Sequence, residues 1–126
     1  MARILNPLAA ALGALLLAAP AFAAGDAARG AAAFRTQCAA CHTATQGGPA
    51  RVGPNLFGVV DTKAASRPGF RYSQAMQNIG LTWDSATLAR YLTAPRRVVP
   101  GTAMSFMGTD DADESADLAA YLATLK

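Results

Sequence analysis

Between Thr43 and Phe70 lie 28 residues that include Gly47, Gly48, Gly53, Gly58, Gly69, Pro49, Pro54 and Pro68, with no sustained apolar period. Such a stretch reads as loop. A structureless loop of that length is unusual inside a compact domain, and accompanies either function or a non-protein core that the loop wraps. Whatever this chain folds into, its interior is not filled by its own side chains alone.

The N-terminal segment sets how much chain is left to build that fold. Arg3 is followed by an apolar run from Leu8 to Ala19 and by the small-residue triplet Ala21-Phe22-Ala23. This is the layout of a secretory signal peptide with cleavage after Ala23, and the apolar run is short for a membrane span. An uncleaved, tilted anchor is the competing reading. The expected division is a leader over 1–23 and one exported domain over 24–126, small enough that its own apolar core gives limited stability.

Without Arg3 the domain has ten Lys and Arg against eight Asp and Glu. That balance does not point to nucleic acid. The distribution is uneven, however. Nine basic residues lie between Arg29 and Arg97 with only Asp61 and Asp84 among them, and five of the acids cluster between Asp110 and Asp117. A charge dipole of this kind orients a molecule as it approaches a partner.

Helical signals flank the loop. Asp26 can start a helix over the alanine-rich "AARGAAAFRTQC", where Gly30 and Phe34 are four apart and share a face. "YSQAMQNI" (Tyr72 to Ile79) predicts a short helix before Gly80. "TWDSATLARYLTAP" offers Asp84 or Ser85 as a cap, with Leu88 and Leu92 on one face and Pro95 ending the helix after Thr93. Arg96 to Gly108 reads as loop. The last segment has Thr109 as its expected N-cap and acids in its first turns, where the helix dipole favours them. Leu118, Leu122 and Leu125 then share a face with Tyr121 beside it. No strand shows an alternating pattern, so the expected class is all-α: three main helices, a short one, and long loops.

Both cysteines, Cys38 and Cys41, and the only histidine, His42, stand within five residues. A thioredoxin-like dithiol needs a strand before the motif and a helix after it; here a helix precedes it. A structural zinc site needs four ligands, and only carboxylates could complete one. A short disulfide beside a chance histidine is a further reading. C-x-x-C-H is also the signature of c-type haem attachment: each thiol adds to a vinyl group, and the adjacent histidine reaches the iron. A flat apolar ring also supplies the core that the long loop lacks. For the sixth iron position the candidates are Met76, Met104, Met107 or none. A methionine on a helix face is more often core filler. Met104 differs because it follows the turn-forming Pro100 and Gly101 in a loop, with Met107 its competitor.

With these blocks in order, the chain resembles the class I cytochromes c of mitochondrial and alphaproteobacterial type, from about Gly25 to Lys126. Gly30 and Phe34 match the first helix, which in the family crosses the last at the position of Leu118 and Tyr121. "CAACH" is followed by "GPNL" (Gly53 to Leu56), "PGFRYS" (Pro68 to Ser73), "LTW" (Leu81 to Trp83) and "YLTAPRRVVPGTAM" (Tyr91 to Met104). The resemblance implies one haem c held through Cys38 and Cys41, with His42 and Met104 as iron ligands. Pro54 would accept a hydrogen bond from His42, and Tyr91 would lie near the Met104 sulfur. Tyr72, Trp83 and Thr102 would donate around buried propionates.

There are departures. Asp61 and Thr62 replace a glycine and an arginine that the family often places before the lysine, which shifts the expected charge near a propionate to Arg51 or Lys63. Met76 replaces an asparagine. Gln37 and Ala103 thin the basic ring at the haem edge, while Arg51, Arg96 and Arg97 keep its charge.

The implied function is that of a monomeric, periplasmic one-electron carrier, not an enzyme. It would run between a bc-type membrane complex and an oxidase, reductase or photosynthetic centre. The rivals are a haem enzyme or sensor with a labile methionine, and an electron-transfer subunit of a dehydrogenase complex.

Overall fold

The computed structural model describes residues 24–126. The expected leader and its cleavage site at Ala23 lie outside the described residues. Five helices follow in order: α1 (Ala27–Gln37), α2 (Gln74–Asn78), α3 (Ser85–Thr93), α4 (Pro95–Val98) and α5 (Ala112–Thr124).

The frame is the crossing of α1 over α5. Asp26 caps α1 by accepting from the Arg29 N–H at 2.9 Å. Gly30 then lies so close to α5 that a Cβ there would sit 1.9 Å from the Asp117 carbonyl oxygen. Beside it the Phe34 and Tyr121 rings stack at 5.4 Å, tilted by 52°. The Asp117 carboxylate accepts from Arg29 Nε at 2.7 Å, from Arg29 Nη2 at 3.0 Å and from the Asp26 backbone N–H, which ties the start of α1 to the middle of α5. Leu118, 1 % exposed, and Leu122 are buried from the same stretch of α5. Each such leucine contributes about 1.5–3 kcal/mol by leaving water.

Helix α3 packs on α5, and its Leu88, Tyr91 and Leu92 are buried. Asp84 is its cap, accepting from the Thr87 N–H at 2.7 Å. Pro95 ends α3 and also opens α4, a one-turn helix in a region expected to be loop. A proline at the first helical position gives up no bond, because that N–H has no partner inside a helix anyway. The cap of α5 also differs from expectation. Asp111 accepts from the N–H groups of Asp113 and Glu114, while Thr109 supports it from outside the helix, accepting from the Asp111 N–H and donating to Glu114.

The long loop is ordered by hydrogen bonds rather than by an apolar face. Asn55 Nδ2 donates to the carbonyls of Thr45 and Gly48, and its Oδ1 accepts from the Phe57 N–H. Farther on, Asp61 to Ala64 exchanges backbone bonds with Leu81 to Trp83 around a lone antiparallel bridge between Lys63 and Thr82. No strand ladder forms among the described residues. Asp61 stands at φ 65°, the left-handed conformation that suits glycine and that aspartate tolerates better than most residues.

Candidate haem-binding site

Helix α1 ends at Cys38, and the chain tightens into a turn in which the N–H groups of Cys41 and His42 both donate to the Cys38 carbonyl at 3.0 Å. The two cysteines are free, and both line one cavity of about 320 Å³. Burial, with Cys41 and Glu114 nearby, pushes the Cys38 thiol up to about 11. A redox dithiol needs the opposite shift, usually provided by a helix N-terminus, whereas this motif leaves a helix C-terminus. No group of three His, Cys, Asp or Glu side chains converges to hold a metal among the described residues. The dithiol and zinc readings therefore both lose their structural basis.

His42 is fixed by its surroundings. Its ring lies against Gly53, where a Cβ would meet ring atoms at 2.2 to 2.8 Å. Its Nδ1 is 2.7 Å from the Pro54 carbonyl. An Nδ1–H donated there leaves Nε2 with its lone pair free. Burial lowers the histidine's basicity and the Pro54 bond opposes that effect. The backbone bond from the Gly53 N–H to the Cys41 carbonyl locks the "GPNL" segment to the cysteine turn.

Two methionines line the same cavity, Met76 and Met104. Met107 does not, and it is 67 % exposed. Met104 is delivered by a turn in which the Thr102 N–H bonds the Val99 carbonyl at 3.0 Å, with Pro100 and Gly101 in the middle and Gly101 at φ 86°, the arrangement of a type II turn. The Thr102 hydroxyl lies 3.2 Å from the Tyr91 hydroxyl and accepts from the Met104 N–H at 3.3 Å. The Tyr91 hydroxyl is 3.9 Å from the Met104 sulfur. Burial raises the Tyr91 phenol, with Thr102 opposing, so its proton stays on oxygen.

Trp83, buried, lines the cavity beside Tyr91, their rings 4.9 Å apart. Tyr72 lines it as well. Its hydroxyl accepts from the Arg67 backbone N–H at 3.3 Å, which leaves the phenol proton available to another acceptor.

Neither cation expected near a propionate lines the cavity. Arg51 is exposed and donates to the Ala39 carbonyl, and Lys63 is exposed. Arg67 does line it. Sequence reading missed this residue, although the loss of an arginine at Thr62 was a signal to look for a replacement nearby.

The site thus contains two unlinked thiols, a backbone-oriented imidazole with one free nitrogen, a thioether and an apolar lining. That donor set fits a covalently attached haem and defines a c-type haem protein. The family model described as Cytochrome c matches residues 27–126, and the chain belongs to that family. It is 50 % identical over 111 residues to cytochrome c2 of Rhodomicrobium vannielii, covering 88 % of each chain. A cytochrome c homolog of Bradyrhizobium diazoefficiens is 47 % identical over 98 residues, 77 % of this chain and 53 % of that one. Among solved structures, cytochrome cH from Methylobacterium extorquens matches with a TM-score of 0.74 and 44 % identity, over 79 % of this chain and 99 % of the other. The protein is a monohaem c-type cytochrome, an electron carrier with one haem c bound through Cys38 and Cys41.

Proposed function

We propose that His42 and Met104 would hold the haem iron and that the chain is a periplasmic one-electron carrier, exported by cleavage after Ala23. The observation that carries this reading is the His42 Nδ1 bond to Pro54, which frees Nε2 in the cavity that Met104 also lines. Bound haem supplies the one-electron couple, and a thioether ligand with a dry pocket favours its ferrous form and raises its potential. The chain's contribution is to hold the imidazole in one tautomer, keep water out with Leu88, Leu92, Leu118 and Leu122, and fix the Met104 loop through Tyr91 and Thr102. Held by His42 and Met104 together, the bound haem would supply electron transfer and leave no position for a substrate.

The partners proposed are a bc-type complex as donor and an oxidase, reductase or photosynthetic centre as acceptor. Arg51, Arg96 and Arg97 are all exposed. Val52, 77 % exposed, follows Arg51 in the chain and lines the cavity, so it offers an apolar contact next to one of these cations. Such a surface suits brief, salt-sensitive docking by a monomer.

The test is the spectrum of ferrous protein under carbon monoxide at neutral pH. Wild type should not bind the gas, whereas Met104→Ala should, and Met76→Leu and Met107→Leu should behave as wild type. Gas binding by the wild type would favour a haem enzyme or sensor instead.

A further inference from the structure

We propose that Arg67 is the cation that holds a haem propionate, from a chain position that differs from the arginine the family often uses. Its Nη1 donates to the Gly58 carbonyl at 3.3 Å and its Nη2 to the Phe57 carbonyl. Its Nε is buried without a partner, the one buried side-chain polar atom left so among the described residues. An unsatisfied buried donor on a charged group is costly, because the group gives up its hydration and gains no partner in return. A guanidinium in a protein does not escape that cost by losing its proton.

No carboxylate of the described chain is paired with Arg67, since both ion pairs found there belong to Arg29. The neutral carbonyls of Phe57 and Gly58 orient the group without balancing its charge. An anion is therefore wanted at the cavity wall, and haem brings its own carboxylates. The Tyr72 phenol is positioned to join in, because its oxygen already accepts from the Arg67 N–H and its proton is unspent. Thr62, at the position of the family's arginine, is neutral and donates to the Val59 carbonyl at 2.6 Å. Arg67 thus restores, five residues later, a charge that the chain lacks at Thr62.

The consequence is electrostatic. A propionate left without its cation would favour the ferric state, so Arg67 keeps the potential up. In Arg67→Gln, which retains an amide donor for the two carbonyls, the ferric-to-ferrous ratio at a fixed applied potential should rise about tenfold. That is a fall of about 59 mV for one electron. The Met104 ligation band should be unchanged. Arg67→Lys, which keeps the charge, should fall less than Arg67→Gln. A rise below threefold in Arg67→Gln, or an equal or larger fall in Arg67→Lys, overturns the assignment. A second measurement needs no variant. In ferrous, nitrogen-labelled wild type the Arg67 Nε–H should show a nuclear Overhauser cross-peak to propionate methylene protons. Absence of that proton resonance or of the cross-peak overturns the proposal whatever the variants do, and the cross-peak alone decides if Arg67→Gln does not mature.

Discussion

Replacing Gly30 with alanine adds one methyl group where α1 meets α5, and two effects of opposite sign then compete. Alanine is the better helix former by about 1 kcal/mol, so on local grounds Gly30→Ala should stabilise α1. The new Cβ, however, would lie 1.9 Å from the Asp117 carbonyl oxygen, 2.5 Å from its carbonyl carbon and 2.8 Å from Tyr121 Cβ. Reaching even a 3.0 Å contact requires the helices to separate by roughly 1.1 Å. The obstacle is backbone, which cannot rotate away as a side-chain tip can. Overpacking a core costs about 1–3 kcal/mol, and a backbone obstacle puts this case at the upper end. The separation would also strain the Arg29 pair with Asp117 and the stacking of Phe34 on Tyr121. A net loss of about 2 kcal/mol follows, or about 8–16 °C in Tm for a domain of this size. Thermal unfolding of the holoprotein by far-ultraviolet circular dichroism measures it. Ala32→Gly, at an exposed site on the same helix, isolates the propensity effect and should lose about 1 kcal/mol. A Gly30→Ala protein as stable as wild type, or more so, would refute the argument from the helix crossing.

Other outcomes follow from the same geometry. The Arg29 guanidinium, then the Asp26 N–H, hold the Asp117 carboxyl below the ordinary carboxylate range. Its contribution is therefore present above the unfolded value of about 3.9 and lost as pH falls through the depressed native one. Stability measured from pH 6 down to pH 2 should show wild type and Asp117→Asn converging at the acid end, and parallel curves would count against the linkage. Tyr91→Phe removes the hydroxyl between Thr102 and the Met104 sulfur, so it should cost about 1 kcal/mol in denaturant unfolding. With Met104 holding the iron as proposed, it should also lower the potential, because the sulfur would then donate more strongly to ferric iron. Leu118→Ala, at a site only 1 % exposed, should lose about 2–5 kcal/mol. Electron delivery from membranes containing a bc-type complex should slow as salt rises, and less steeply in Arg51→Gln.

The local elements were legible because their signals are short-range. Asp84 caps α3 as its side chain allows, Pro95 ends it, and Gly30 and Phe34 share the buried face of α1, as their spacing requires. The cap of α5 was misread because Thr109 and Asp111 both satisfy the cap composition. Only the backbone shows which oxygen receives the N–H bonds of Asp113 and Glu114. Helix α4 was hidden because a single turn has no apolar period to detect.

The spacing of Cys38, Cys41 and His42 already made haem attachment one of four readings, since a thiol pair three apart followed by an imidazole is a local constellation that any fold must keep together, and the order of the blocks after it favoured that reading. Which methionine faces the cavity, and which cation does, depends on contacts between residues far apart in the chain. Met107 has the same loop context as Met104 but is turned to solvent, and Arg67 reaches the cavity wall where Arg51 and Lys63 do not. Burial is a property of the packed chain: it turns Met107 to solvent, in line with the preference for Met104 that the resemblance already implied, and it places at the cavity wall Arg67, a guanidinium to which the sequence did not point.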